Sequence, residues 1–123
     1  MADKETLELA AKAAGITLTP AEIKNVTKQG DDRFIGYQTD PDQWLRGWFD
    51  PLTDDGDALR LAVRLNIWPV RVSSPKNHPD TIRVQEGSEY WTEIAEEEIF
   101  DDPLAATRRA IVKAAAEIGK GMK

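Results

Sequence analysis

The sequence contains no cysteine and only one histidine among its 123 residues. Without cysteine, disulfides, thiolate metal sites and cysteine nucleophiles are all excluded. Any imidazole base or imidazole metal ligand would have to be His78, and no Gly-x-Ser-x-Gly sequence supplies a serine nucleophile. We therefore interpret His78 as an ordinary loop residue and expect a protein that is not an enzyme and carries no cofactor.

Phosphate-binding glycine patterns and long apolar runs are also missing. Gly47 and Gly56 are isolated, and the carboxy-terminal glycines lack the spacing of a P-loop. No apolar stretch approaches the roughly 20 residues that span a bilayer, and the amino terminus opens directly into an amphipathic pattern. We expect one domain over residues 1–123, located in the cytoplasm and not inserted into a membrane.

The chain is acidic, with a formal net charge of −6. This charge repels nucleic-acid phosphates, so the sequence argues against DNA or RNA binding. The charges are unevenly placed, since residues 86–102 hold eight acids and no base whereas residues 103–123 hold five bases and one acid. We interpret the run Glu96-Glu97-Glu98 as a solvated connector before the last helix.

Capping residues and apolar spacing predict three helices. The first covers residues 3–14, the second ends near residue 65, and the third begins near residue 103 and frays at its two final glycines. The predicted caps are Asp3, then Thr53 or Asp54, then Asp102, which is followed by Pro103 at the first helical position. The predicted stops of the first two helices are Gly15 and Asn66. The apolar stripe of the second helix consists of Ala58, Leu59, Ala62, Val63 and Leu65.

Shorter apolar patterns predict strands between these helices. A hairpin is expected from residues 22–28 and 33–38, although Thr19 and Pro20 could equally open a helix there. Residues 67–72 are interpreted as a largely buried strand in which Pro69 indicates an edge, a strand start or a bulge. A second hairpin is expected from residues 81–85 and 90–94.

This order of elements indicates an α+β fold. We expect a layered α/β sandwich in which three helices cover a mainly antiparallel sheet of about five strands. The predicted order is α-β-β-α-β-β-β-α.

Four aspartates near the start of the second helix suggest a divalent metal site. Oxygen ligands suit calcium, magnesium or manganese, but a calcium loop starting at Asp50 would have Leu52 at its third position and Leu61 at its twelfth. Acids at a helix start are also favoured by the helix dipole. Helix capping is therefore the preferred interpretation, and metal binding is the alternative, for Asp50, Asp54, Asp55 and Asp57.

Aromatic and basic residues form the candidate binding site. Four tryptophans are many for so short a chain, and Trp44 and Trp48 fall in a predicted loop beside Phe49. They either pack in the core or line a ligand pocket or partner surface. Arg108 and Arg109 would provide paired donors for phosphate, or would be solvated or paired with nearby acids.

Three segments resemble the phage ABA-sandwich domain family of small phage and prophage proteins. They are WFDPLTDDGDALRLAV at residues 48–63, DPLAATRRAIVKAAAEIG at residues 102–119 and LAAKAAG at residues 9–15. The pair Phe49-Asp50 departs from the single turn residue expected before the proline, and residues 17–45 match nothing in the family. The resemblance implies a phage or prophage origin and a layered α/β arrangement, and it implies no catalytic residues.

These observations leave three functions open. The leading prediction is a phage accessory protein that binds an unknown protein partner, or associates with itself, near Trp44, Trp48 and the acidic turn. The second is a small-molecule binder in which Arg108, Arg109 and a loop aromatic hold a nucleotide. The third is a metal-dependent hydrolase that uses the aspartates.

Overall fold

The computed structural model describes residues 3–23, 33–44, 47–87, 92–100 and 102–122. Within these residues the chain forms three helices and six strands, and all strand pairs are antiparallel, which confirms the α+β class. The elements in order are α1 (Asp3–Ala14), β1 (Thr19–Ile23), β2 (Arg33–Gln38), β3 (Trp48–Phe49), α2 (Asp55–Leu65), β4 (Ile67–Val72), β5 (Thr81–Glu86), β6 (Thr92–Glu98) and α3 (Pro103–Lys120).

The strands form two sheets and not the single sheet of about five strands that was expected. The first has the order β1-β2-β3 and the second has the order β4-β5-β6. The additional strand is β3, which lies in a stretch that had been assigned to a loop and pairs Trp48 with Gln38 and Phe49 with Tyr37. Burial of the Tyr37 and Phe49 side chains stabilises this short pairing, which a local pattern of two residues does not reveal.

The first hairpin is confirmed in part. β2 covers the predicted residues 33–38, and β1 starts at Thr19, so the alternative of a helix opening there is wrong. β1 also contains a bulge between Ala21 and Glu22. Most of the predicted first arm, together with its turn, lies in residues 24–32, outside the described part of the chain.

The second sheet corrects two predictions about burial and connection. β4 is an edge strand, as Pro69 indicated, but of its residues only Ile67 is buried, and Trp68 and Val70 are exposed. An edge strand with one face on the core has no second apolar layer over its other face. β6 continues through Glu98, so the acidic run is part of a strand and not a connector.

Alternation along β6 explains how a strand accommodates these acids. The carboxylate of Glu97 lies on the side of α3, where it accepts hydrogen bonds from Arg109 Nε at 3.1 Å and Lys113 Nζ at 3.3 Å. The carboxylate of Glu96 lies on the other face, 3.3 Å from Nε of Arg83. Successive strand residues point to opposite faces, so each carboxylate has a base to pair with.

Local signals set the helix ends. α1 has the predicted bounds, and Gly15 adopts the left-handed conformation at φ 74°. Asp54 caps α2 and Asn66 ends it at φ 54°, ψ 48°. Asp102 caps α3 by accepting from the amides of the second and third helical residues, and Pro103 occupies the first position. No helix within the described residues is both long enough and apolar enough to cross a bilayer.

Small side chains allow α1 and α3 to pack closely. Alanines on both helices are fully or almost fully buried. Gly119 does not fray α3 but is buried within it, because a Cβ added there would overlap the backbone carbonyl oxygen of Leu9. The buried alanines are Ala10, Ala11 and Ala14 on α1 and Ala106, Ala110, Ala114, Ala115 and Ala116 on α3.

Tyr37 connects the first sheet to α1. Its side chain is buried, and its hydroxyl donates a hydrogen bond to Oε1 of Glu8 at 2.6 Å. Burial, this hydrogen bond and the negative charge of Glu8 raise the pKa of Tyr37 to about 12 from 10.0. The neutral phenol is therefore the form that the fold stabilises.

Tyr37→Phe should lower the free energy of unfolding by about 1–2 kcal/mol near pH 7, because a hydrogen bond to a carboxylate is lost. A group whose pKa is raised on folding contributes stability that is complete below its unfolded pKa and is lost as pH rises through the folded value. The difference between wild type and Tyr37→Phe should therefore shrink between pH 10 and about pH 12. Urea unfolding of both proteins at neutral and alkaline pH measures it, and a difference that does not change with pH would contradict this account.

Candidate functional site

The acidic turn before α2 is organised around Asp57. Asp54 accepts a hydrogen bond from the Asp57 backbone N–H at 3.2 Å and so caps the helix. The Asp57 side chain, only 3% exposed as a residue, accepts from the Asp50 backbone N–H at 2.8 Å and from Nη1 of Arg60 at 3.0 Å. This carboxylate therefore ties the chain that leaves β3 to the first turn of α2.

The pKa of Asp57 reflects a balance between burial and these donors. Burial raises the pKa of Asp57 above its ordinary value, and the nearby charge of Asp54 acts in the same direction. The Asp50 amide, the Trp44 indole N–H and Arg60 oppose this by stabilising the carboxylate. Indole Nε1 of Trp44 is buried and stabilises the Asp57 carboxylate, although it does not meet the geometric criteria of a hydrogen bond.

The four aspartates do not converge on a common point. Asp50 accepts from the Thr53 hydroxyl, Asp55 pairs with Arg108, and Asp54 and Asp57 have the helix-start roles described above. Within the described part of the chain, no group of three His, Cys, Asp or Glu side chains is arranged to hold a metal ion. The geometry of these acids is that of helix capping and ion pairing.

Trp44 lies in the core. It is 3% exposed, and its ring meets that of Phe49 edge to face at a centroid distance of 5.1 Å and an interplanar angle of 74°. The guanidinium carbon of Arg64 lies 5.9 Å from the Trp44 ring centroid, and Nη1 of Arg64 donates to the Gln43 carbonyl oxygen at 2.8 Å. Trp44 and Phe49 thus attach the 39–44 loop to α2 and are not available to a partner.

Trp48 lies on the opposite face of the first sheet from Phe49. It is 38% exposed, and its strand partner is Gln38, whose other neighbour in register is Thr19. Residues directly opposite in an antiparallel pair share one face, so these three side chains form a row on the outer face of the first sheet. Of the candidate aromatics, only Trp48 presents its ring to solvent.

A polar recess of about 430 Å³ adjoins this row. Oε1 of Gln43 accepts from the Thr17 backbone N–H at 3.1 Å and from the Thr39 hydroxyl at 3.2 Å. The recess combines hydroxyl, amide and carboxylate groups and contains no basic side chain among its described lining residues. These are Thr17, Thr19, Gln38, Thr39, Asp40 and Gln43.

The two candidate arginines are paired with acids. Arg108 donates from Nε to the Leu52 carbonyl oxygen at 2.8 Å and pairs with Asp55. Arg109 pairs with Glu97 at 3.1 Å and lines a groove of about 360 Å³ whose described walls are aliphatic and charged. Within the described residues, neither arginine lines a groove together with Trp44, Trp48 or Phe49, and the aromatic residue that shares a groove wall with Arg108 is Trp68 of β4.

An apolar groove that the sequence did not predict lies between α2, β4 and α3. It has a volume of about 280 Å³ and is lined by Leu59, Trp68 and Leu104, which are 56%, 39% and 61% exposed. Leu59 and Val63 were expected to pack in the core, but both project to solvent from α2. The sequence does carry a signal for this second apolar face of α2. Leu59 and Val63 are spaced i, i+4, whereas Ala58, Leu61 and Ala62 already supply the buried face.

Asp55 is the one acid among the described lining residues of this groove. Asp55 lies in its wall and Asp102 is the exposed cap that precedes Leu104. Arg108 is also in the wall, but its side chain is 16% exposed and pairs with Asp55, whose side chain is 64% exposed. Asp55 is therefore the more accessible member of this ion pair.

No protein-family model matches this sequence, and no curated protein or solved structure shows significant similarity to it. The class of the molecule is accordingly defined by its own structure. It is a small α+β protein with two three-stranded antiparallel sheets, and its described residues include an apolar groove and a polar recess.

Proposed function

We propose that the protein acts by binding a protein partner whose apolar side chains enter the groove between α2, β4 and α3. The observation that carries this proposal is the exposure of Leu59, Trp68 and Leu104 around one concave apolar surface. Exposed apolar side chains that line a common groove are typical of partner-binding sites, whereas scattered ones are not. The binding function is the one expected from the sequence, but its surface differs, because Trp44 and Phe49 are buried.

Charge favours a basic partner over a second copy of the chain. The net charge is −6, so two copies repel each other at long range. The exposed carboxylate of Asp55 in the groove wall would add to this repulsion locally, whereas lysines or arginines beside the apolar side chains of a partner would complement it. We therefore commit to an apolar segment flanked by basic residues.

The strands that border the groove also disfavour pairing with an added strand. β4 is an edge of its sheet and Pro69, near its centre, has no N–H to donate. The opposite edge, β6, carries several glutamates. Side chains entering the groove, and not strand addition, are therefore the proposed mode of recognition, as when an amphipathic helix lies in a groove.

The resemblance to the phage ABA-sandwich family supports placing this activity in a phage or prophage. The segments that carry the resemblance include two lining residues of the groove. Residues 48–63 include Leu59, and residues 102–119 include Leu104. On this proposal the protein is a non-enzymatic accessory protein in the cytoplasm of the bacterial host. The groove is then the part of the molecule that selects its partner.

Two designed peptides test the proposal. An amphipathic helix of leucine and lysine should bind about tenfold more tightly than the matched leucine and glutamate helix, because only the former complements the exposed Asp55 carboxylate and the net charge of −6. Leu104→Lys and Leu59→Lys should each weaken binding of the leucine–lysine peptide by about tenfold. Isothermal titration calorimetry measures both effects.

Met122→Lys is the matched control. It adds the same charge at an exposed apolar residue beyond the opposite end of α3 from Leu104. Equal binding of the two peptides, or equal effects of Leu104→Lys and Met122→Lys, would contradict the proposal. Sedimentation that shows a dimer in wild type and a monomer in Leu104→Lys would identify a second copy as the occupant and would reject the basic partner.

A further inference from the structure

The outer face of the first sheet combines an exposed indole with an adjoining polar recess. Trp48 lies directly across the strand pair from Gln38, and Gln38 lines the recess together with Thr19. Opposite residues on one face have Cβ atoms about 5 Å apart, so Trp48 adjoins a lining residue of the recess. We propose that this surface is a binding site for a neutral polyhydroxylated ligand, namely a pyranose unit of an oligosaccharide.

The polar groups of the recess suit hydroxyl recognition. Among the described residues, no hydrogen bond engages the hydroxyl groups of Thr17 and Thr19 or the side-chain amide of Gln38. Asp40 uses one carboxylate oxygen, Oδ1, to accept from the Asp42 backbone N–H at 2.9 Å. The other oxygen is available to accept, while amide and hydroxyl groups can both donate and accept. A sugar hydroxyl has the same dual capacity, so neighbouring hydroxyls on a ring can be matched at several points.

The exposed tryptophan supplies the apolar half of such a site. One face of a pyranose ring presents C–H groups, which pack against the flat surface of an indole while the hydroxyls project from the ring edge. An aromatic ring with one face exposed and polar groups at its margin provides both contacts. Trp44 belongs to the core and Trp68 to the apolar groove. Trp48 belongs to neither, yet it is exposed.

Charge separates this ligand class from nucleotides. A nucleobase would also stack on Trp48, but its phosphates need cationic donors. The described lining of the recess contains no lysine or arginine, and Asp40 adds a negative charge. Against the net charge of −6, a neutral ligand is favoured over an anionic one.

Backbone hydrogen bonds hold the turn that forms one side of the recess. The Thr39 backbone N–H donates to the Gly47 carbonyl oxygen at 2.8 Å, and the Asp40 carbonyl oxygen accepts from the amides of Gln43 and Trp44 at 2.8 and 3.1 Å. Gly47 has φ 71°, and a Cβ there would lie 3.0 Å from the Thr39 carbonyl oxygen, so this turn favours glycine. A rigid turn lowers the entropy cost of ordering the recess around a ligand.

Nuclear magnetic resonance titration of the ¹⁵N-labelled full chain tests the site with cellotetraose and triacetylchitotriose as probes. We expect one of them to shift the Trp48 indole resonance and the amides of Gln38, Thr39 and Gln43, with a Kd of about 1 mM or below. Trp48→Ala should weaken that binding by about tenfold or more, as loss of a stacking platform does elsewhere. Trp48→Phe should be intermediate, and Gln38→Ala should weaken binding several-fold.

Trp68→Ala is the matched control, because Trp68 is exposed to almost the same extent, 39% against 38%, but lies at the apolar groove. It should leave sugar binding unchanged, while unchanged α1 amide resonances show that each variant is folded. Failure of both sugars to shift these resonances at millimolar concentration, equal effects of Trp48→Ala and Trp68→Ala, or tighter binding of adenosine monophosphate would each overturn the proposal. The recess shares no lining residue with the groove, so the peptide and sugar experiments fail or succeed separately.

Discussion

Gly119→Ala is expected to lower the free energy of unfolding by about 3 kcal/mol. The added methyl group would overlap the carbonyl oxygen of Leu9, which belongs to the backbone of α1 and cannot rotate away. α1 and α3 would have to separate, which weakens the packing of the buried alanines between them. Overpacking of this kind outweighs the gain of about 1 kcal/mol that alanine normally brings to a helix interior.

Gly121→Ala is the control for this substitution. Gly121 lies just after α3, and the nearest atom to its added Cβ would be the Ile118 carbonyl oxygen at an ordinary 3.6 Å. The free energy of unfolding should change by no more than about 0.5 kcal/mol, as for surface substitutions generally. Urea unfolding of both variants measures the difference. Equal stability of the two proteins would show that the helices do not make this close contact.

Asp57→Ala should have a similarly large effect, about 3 kcal/mol. It leaves the Asp50 backbone N–H and the buried Trp44 indole without the carboxylate, and Arg60 without its partner. Removing one partner from a buried ion pair is costly because the other group remains desolvated, although Arg60 is 32% exposed and can recover some hydration. Urea unfolding at pH 7 measures the loss.

Asp57→Asn separates the hydrogen bonds from the charge. Its amide oxygen can still accept from the Asp50 amide, so the loss should be only about 1 kcal/mol. Because burial raises the pKa of Asp57, the stability that its titration contributes is complete below the unfolded pKa and is lost as pH rises through the folded value. Wild type should therefore gain stability relative to Asp57→Asn as pH falls through this range. Equal losses for Asp57→Ala and Asp57→Asn at pH 7 would argue against a structural role of the Asp50 contact.

Both substitutions act on residues whose roles the sequence suggested only in part. The spacing of acids before α2 correctly indicated a helix start, and Asp54 is its cap. It did not show that Asp57 faces inward and bonds to the chain leaving β3. Gly119 was expected to loosen the end of α3, since a glycine near a helix end has that effect when nothing packs against it.

The candidate site, too, could be predicted from the sequence only in part. The sequence left open whether the loop tryptophans pack in the core or line a surface, and in the structure Trp48 is exposed. Its neighbour Trp44, four residues earlier, is buried because Phe49 and Arg64 enclose it. The apolar groove depends on three elements that are distant in sequence, so no single stretch of residues displays it.

The sequence by itself determined the three helices, the caps of α2 and α3, the strand over residues 33–38 and, as one of the alternatives for Pro69, the edge position of β4. These features depend on hydrogen bonds and backbone preferences within a few residues, so they are visible in a local pattern. Only the tertiary structure decided the division into two sheets, the burial of Asp57 and Gly119, and which apolar side chains remain exposed. Those outcomes depend on which distant surfaces pack together, and the free energy of that packing is a property of the whole fold.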